Sequence, residues 1–418
     1  MTASSSPFTR TALATEPSVP IMRAGSHAAL VRTDLGHNSP PVRAGQIDAV
    51  IVPTSRGADA LAGAAQLAVR LGAVLVALCS KQTSAGEVAD RRARTPGCRA
   101  IVVDVPPLYR HDLLPTRTDA ARFRAASADR SSDLSLKRNI GLLLARLHNW
   151  GKVIFLDDDI GSRASGHPVG IPDATLRRLV SALDTHQMAG MTCRQFADNS
   201  VVCHGYRLAG FEQDTFISGA ALGVNCNDHP IPFFPDVYDE DWFFMSRRVA
   251  ARDIAHVGDA IQTEYDPFGD PLRARQEEFG DLLAEGLFTL FEDQPGEMDY
   301  RRRLDAADGR FWERYIEARR DMIGVTAMSL EMAIVGGTGD PVRLSAALRS
   351  IDAAAAQLAR LTPELCVDFL DAWADDLVEW EQEMQRVRAV RSTAEAVDVL
   401  GLRNWCEARA ATAAVPWS

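Results

Sequence analysis

The chain has 418 residues, 46% hydrophobic and 24% charged, which excludes general disorder and suits one large domain with a smaller one or two ordinary domains. A formal net charge of −11 excludes a surface built to grip nucleic-acid phosphates, but not a local nucleotide site. Seven scattered cysteines without a CxxC pair, no apolar signal-like core at the N-terminus and no run near the ~18 apolar residues of a membrane helix together predict a cytoplasmic protein with reduced thiols and no transmembrane segment.

Residues 1–45 are rich in Ser, Thr, Pro and Ala without periodicity and predict a flexible tail or a loosely docked arm. Asp48–Val52 then predicts a buried strand ending in Pro53-Thr54-Ser55-Arg56, followed by a helix with Leu61, Ala64, Ala68 and Leu71 at helical spacing. Further strands are expected at Ala73–Leu78 and Ala100–Asp104, apolar throughout rather than alternating, as in a parallel sheet covered on both faces. Residues 106–135 read as a long polar loop. Lys137-Arg138-Asn139 opens a helix carrying Ile140, Leu143, Leu144 and Leu147, with a stop near Asn149 and Gly151.

A fourth strand, Lys152–Leu156, runs straight into Asp157-Asp158-Asp159. A helix with Leu176, Leu179, Val180 and Leu183 follows, then strands near 188–192, 216–224 and 254–257, with a helix bearing Glu240-Asp241-Trp242-Phe243-Phe244 before the last. Beyond residue 270 the pattern is helical, with amphipathic runs over 342–361 and 363–390 and no comparable strand signal; Arg273–Glu278 reads as a solvated helix face. The expected organisation is a tail (1–45), an α/β catalytic unit (46–270) and a helical C-terminal region (271–418). The apolar faces of that region need burial on the α/β unit or on a second subunit, which would make a homo-oligomer.

Three adjacent carboxylates at the end of an apolar strand repel one another and call for a cation or full solvation. Strand alternation would send Asp157 and Asp159 to one side and Asp158 to the other, and two same-face carboxylates at a strand end suit a divalent ion. The ligand crevice of an open α/β sheet lies at such strand ends. Glu240 and Asp241 sit beside bulky aromatics that can desolvate a carboxylate and raise its pKa toward that of a base. Arg56, Lys137 and Arg138 are candidates for neutralising a diphosphate.

The run Lys137-Arg138-Asn139-Ile-Gly141, the strand leading into Asp157-Asp158-Asp159, the opening Pro53-Thr54-Ser55-Arg56, the small-residue segment Ser218-Gly219-Ala220 and the pair Glu240-Asp241-Trp242 resemble, in order, motifs of family-two-like GT-A glycosyltransferases over residues 47–268. The resemblance implies a Rossmann-like, mixed and mostly parallel sheet with helices on both faces. It also implies a UDP- or GDP-sugar donor bound by Pro53, Thr54, Arg56, Asp104, Lys137, Arg138, Asn139, Asp157 and Asp158. Mn2+ or Mg2+ would sit on Asp157 and Asp159, an unnamed acceptor near Ser218, Gly219, Ala220 and Trp242, and catalysis would fall to Asp241 with Glu240.

Two departures stand out. The first turn is one residue shorter than the family's Pro-Thr-x-x-Arg, and the second strand ends Leu78-Cys79-Ser80-Lys81 without the acids that read uracil and ribose, leaving Asp104 as the nearest candidate. No C-terminal His stands out as a third metal ligand; His256 reads as a strand histidine, and Glu264 and Asp266 are substitutes. The expected reaction is an inverting hexosyl transfer. The alternatives are a retaining one, a haloacid-dehalogenase-like phosphatase using Asp157-x-Asp159, against which Gly161 counts, and a degenerate GT-A binding scaffold.

Overall fold

A computed structural model describes residues 27–33, 40–92, 95–161, 170–197, 199–294 and 299–408. In chain order its elements are β1 (Ala49–Thr54), α1 (Ala62–Leu71), β2 (Val74–Cys79), α2 (Ala85–Arg92), β3 (Arg99–Asp104), α3 (Ala121–Ala126), α4 (Leu134–Leu147), β4 (Lys152–Leu156), α5 (Asp173–Ala182), β5 (Met188–Thr192), α6 (Val201–Leu208), β6 (Ile217–Asn225), α7 (Glu240–Ala250) and β7 (Ala255–Asp259). They are followed by α8 (Pro271–Asp293), α9 (Tyr300–Asp305), α10 (Gly309–Val335), α11 (Pro341–Leu358), α12 (Pro363–Arg386), α13 (Thr393–Val399) and β8 (Trp405–Ala408).

The strands are apolar on both sides because each feeds two cores. Along β1, Val50 and Val52 join a core with Leu67 of α1 and Leu179 of α5, while Ile51 joins the other with Leu144 of α4. On β4 the split repeats, Ile154 and Leu156 one way and Phe155 the other. That period-two sorting explains why the strand runs show no polar alternation. Eight strands form one mixed, mostly parallel sheet in the order β7-β5-β6-β4-β1-β2-β3-β8. Parallel pairs join β1 to β2, β2 to β3, β1 to β4 and β5 to β7; β6 runs antiparallel between β4 and β5. The chain builds outward from β1 to β3, then returns to lay β4 on the other side of β1. This reversal opens a crevice beyond the C-terminal ends of β1 and β4.

The C-terminal helices do not stand apart from the sheet. Phe279 of α8 and Phe369 and Trp373 of α12 share one core with Phe243 of α7 and Phe155 of β4, so their apolar faces are buried within the chain. Val325, Met328, Met332 and Val335 of α10 remain exposed. No helix among the described residues is long and apolar enough to cross a membrane. All seven cysteines are thiols without a disulfide.

Four expectations need correction or refinement. A strand does occur beyond residue 270: β8 pairs antiparallel with β3, Val103 opposite Trp405. Four residues are too short to carry a period, and the free edge of β3 supplies their conformation. The polar stretch 106–135 contains α3, whose Phe123 is buried between Phe279 and Phe369. Of the two forms expected for the N-terminal segment, residues 27–32 take that of an arm, docked more firmly than expected: His27 and Leu30 are buried and Arg32 bridges to Ala255. Residues 1–26 and 34–39 of that segment lie outside the described residues. Finally, Arg273–Glu278 is not a solvated face, because Glu277 and Glu278 are buried and Arg273 pairs with Glu277.

Candidate active site

The acidic triplet lies at the crevice where β1 and β4 end. β4 stops at Leu156 and the next residues turn, with the Ile160 amide donating to the Asp157 carbonyl at 3.2 Å. The expected strand alternation of Asp157, Asp158 and Asp159 therefore does not apply, because a turn replaces the strand. Asp158 instead faces the end of β1. Its Oδ2 accepts from Thr54 Oγ1 at 2.8 Å and from the Ser55 and Arg56 amides at 3.2 and 3.3 Å. The shortened Pro-Thr-Ser-Arg turn thus cradles a carboxylate with its own amides.

Arg56 spans the second and third acids, Nη1 lying 3.0 Å from Asp158 and Nη2 3.1 Å from Asp159. Gln262 Nε2 donates to the same Asp159 oxygen at 3.2 Å. The other Asp159 oxygen, Oδ1, is buried and has no hydrogen-bond partner. Burial, reinforced by the nearby charge of Asp157, raises the Asp159 carboxyl above the ordinary range despite Arg56.

Arg138 ties the triplet to the acidic pair. Its buried guanidinium donates to Asp157 Oδ1 at 2.8 Å and to Glu240 Oε1 at 2.7 Å, over the Phe234 ring. Burial opposes its charge, but Asp157, Glu240 and Asp241 outweigh that and raise its pKa. Asp241 accepts from the Gly219 amide and, at 2.9 Å, from the Trp242 amide. Burial lifts the Asp241 carboxyl and Asp157 adds to it, against the pull of Arg138 and of the Gly219 amide. Burial also pushes Glu240 up, to about 7. Gly219 is required here: a Cβ at this position would lie 2.8 Å from both Arg138 Nη1 and Asp241 Cβ.

Other expected donor residues serve the scaffold. Lys137 is buried, and its ammonium is consumed by the Thr54 carbonyl at 2.8 Å, Ser80 Oγ at 2.6 Å and Asp133 at 3.1 Å, which clamps the ends of β1 and β2. Asn139 exchanges two 2.8 Å hydrogen bonds with the backbone of Phe234. Asp104 accepts from the Ala85 amide at 2.6 Å and so caps α2. Pro53 is buried within β1, opposite Leu78.

On the expected acceptor side, Ala220 accepts from the Asp157 amide at 2.9 Å and Ser218 Oγ accepts from the Ala220 amide at 3.4 Å. Trp242 stacks on Phe288 at 4.4 Å and meets Phe216 and His27 edge-on, so its ring belongs to an aromatic cluster. His256 bonds Thr192 Oγ1 from β7. Asp266 accepts from the Phe268 amide.

Sequence reading missed Arg130, whose Nη2 lies 3.8 Å from Glu240, and Gln262. Neither carried a signal, since one lies in the stretch read as loop and the other follows a strand end.

A second acidic group lies beneath, where Cys203, Asp281 and Glu285 hold ligand-type atoms within 4.8 Å of one another. Each carboxylate already faces a cation, Arg319 for Asp281 and His27 for Glu285, and burial keeps the Cys203 thiol well above its ordinary pKa. In that arrangement the carboxylates are already held by internal cations. No protein-family model matches the chain, and no curated protein sequence matches it significantly.

Proposed function

We propose that this chain is a metal-dependent GT-A-type glycosyltransferase that moves a sugar, with inversion, from a nucleoside-diphospho-sugar to an acceptor hydroxyl. One observation carries the reading. The crevice at the β1/β4 reversal presents clustered strand-end carboxylates, one of them with a buried oxygen lacking any partner, next to an arginine only partly held. The sheet order and helices on both faces support it as an α/β nucleotide-binding architecture.

The residues fit a hard divalent cation such as Mn2+ or Mg2+. Asp157 and Asp159 are oxygen donors, and Asp159 Oδ1 is a buried acceptor that an ion would satisfy. When bound, the ion would offset the charge that builds on the departing nucleoside diphosphate. Arg56, with its side chain 51% exposed, can exchange Asp159 for a donor phosphate oxygen. Asp158 holds the β1 turn in place through three hydrogen bonds. Arg138 fixes Asp157 and Glu240 relative to each other, and the Asp241 carboxylate takes the acceptor proton. Its raised pKa suits that role better than an ordinary aspartate's would.

The test is a thermal-shift titration of UDP and GDP with and without Mn2+, for the parent protein and Asp159→Ala, paired with donor hydrolysis. We expect a metal-dependent rise in melting temperature that Asp159→Ala removes, with the unliganded melting temperature preserved. Nucleotide binding that ignores both metal and Asp159→Ala, or no binding at all, would overturn the reading.

A further inference from the structure

A cavity of about 400 Å3 is walled by the 110–119 loop, the first turn of α4, the 233–236 segment and α12. This is within the ~300–1,000 Å3 range of small-molecule sites. Nothing described so far occupies or uses it.

Its wall has a definite chemistry. Phe233 and Phe234 back the wall but are buried, so the surface a ligand meets is polar. Ser135 is buried and its Oγ has no hydrogen-bond partner, so a ligand hydroxyl in the cavity would complete it. Three wall carboxylates are each matched by an arginine: Asp119 by Arg110 at 2.8 Å, Asp236 by Arg130 at 3.7 Å, and Glu379 by Arg117. Asp112 at the exposed rim adds one negative charge. An anionic ligand would meet four carboxylates, and a cation would have to compete with the arginines already placed. A neutral polyol can give protons to the carboxylates and accept from the guanidinium of Arg110, which lies on the wall.

Two side chains link the cavity wall to the surroundings of the acidic pair. Arg130 reaches Asp236 on the cavity wall with one nitrogen and comes within 3.8 Å of Glu240 with another. Phe234 forms part of the wall and lies under the Arg138 guanidinium, 5.5 Å from its ring centre.

The geometry points to this cavity as the acceptor site, taking a neutral, polyhydroxylated, sugar-sized acceptor, an inference that rests on the glycosyltransferase reading. An acceptor hydroxyl oxygen forms the new bond to the anomeric carbon while the bond from that carbon to the donor diphosphate oxygen breaks. The diphosphate leaves with the electron pair, and the hydroxyl proton passes to Asp241.

The experiment uses methyl glucoside, methyl mannoside and methyl galactoside as probes, with glucuronate and glucosamine as charged comparisons. Saturation-transfer NMR reads their binding to the parent protein and to Thr116→Trp, which places a ring at the exposed rim, and to Asp236→Asn. A neutral glycoside should bind saturably, more tightly than either charged probe, and Thr116→Trp should weaken it at least tenfold while donor hydrolysis and nucleotide affinity stay within twofold. In turnover, the acceptor KM should rise and the donor KM should hold. Preference for glucuronate or glucosamine, no saturable glycoside, or unchanged binding in both variants overturns the proposal. Because binding is read without turnover, absent donor hydrolysis in the parent would count against the transferase reading alone.

Discussion

Two groups of carboxylates lie in this molecule, one at the ends of β1 and β4 and one along α8, and they are built from the same residue types to opposite ends. Along α8, Glu278 is fully buried and receives two parallel hydrogen bonds, at 3.0 and 2.9 Å, from an equally buried Arg319, which also holds Asp281. Glu277 has Arg273 and the Val201 amide; Glu285 and Glu292 have His27. In the crevice, buried Arg138 holds Asp157, but backbone amides and a half-exposed Arg56 hold Asp158 and Asp159, and one oxygen of Asp159 is unmatched. A carboxylate becomes structural when its cation is fixed and cannot leave, and stays available for chemistry when its partner can exchange for a ligand.

The comparison breaks most directly at Arg319. Arg319→Met leaves Glu278 and Asp281 as uncompensated buried charges and should cost about 3–5 kcal/mol of stability in urea unfolding. The protein that remains folded should keep its donor affinity. A loss of under about 1 kcal/mol would show the α8 network to be slack.

On the crevice side the expected loss is in turnover. Asp241→Asn should lower transfer by about 10²–10⁴-fold with donor affinity retained, since general-base help has that size. Glu240→Gln tests the neighbour: Glu240 sits near 7 because it is buried, so if it were the base the rate would rise with pH through that value and the Gln variant would abolish the limb. Retained turnover in Asp241→Asn, with loss in Glu240→Gln, would hand the role to Glu240.

A smaller effect separates the two regions by pH. Burial disfavours charge on His27, but Glu285 and Glu292 outweigh it and raise its pKa from 6.5 to about 9. The native value exceeds the unfolded one, so this stabilisation is complete below about pH 6.5 and fades as pH rises through 9. His27→Gln should therefore cost about 2–3 kcal/mol near pH 6 and much less near pH 10. A pH-independent difference would mean that ring packing against Phe216, Trp242 and Phe288 sets its contribution instead.

Asp104→Ala should have the smallest effect, about 1 kcal/mol of stability from the lost cap on α2, with nucleotide affinity unchanged. A tenfold loss of UDP or GDP affinity would return Asp104 to the binding site and widen the crevice region at the expense of the scaffold.

The strands flanking the crevice were legible because parallel strands buried on both faces read as short apolar runs, and the acids at the end of β4 break such a run conspicuously. Asp158 and Thr54 were legible as neighbours only in the sense that both follow such runs. The bland appearance of 106–135 hid Arg130 and α3, since six helical residues give too little period to detect.

By itself the sequence determined the β1-to-β4 succession, the acidic triplet at its end and the amphipathic helices that follow. The tertiary structure alone decided which charge meets which. Lys137 and Arg138 are adjacent in sequence, yet a rotation of about 100° per residue around α4 sends one to the β1 and β2 ends and the other to Asp157 and Glu240. Glu278 looks as soluble as any surface acid until α10 brings Arg319 against it. Charge pairing depends on distances between segments far apart in the chain, and a local pattern of residues carries no information about those distances.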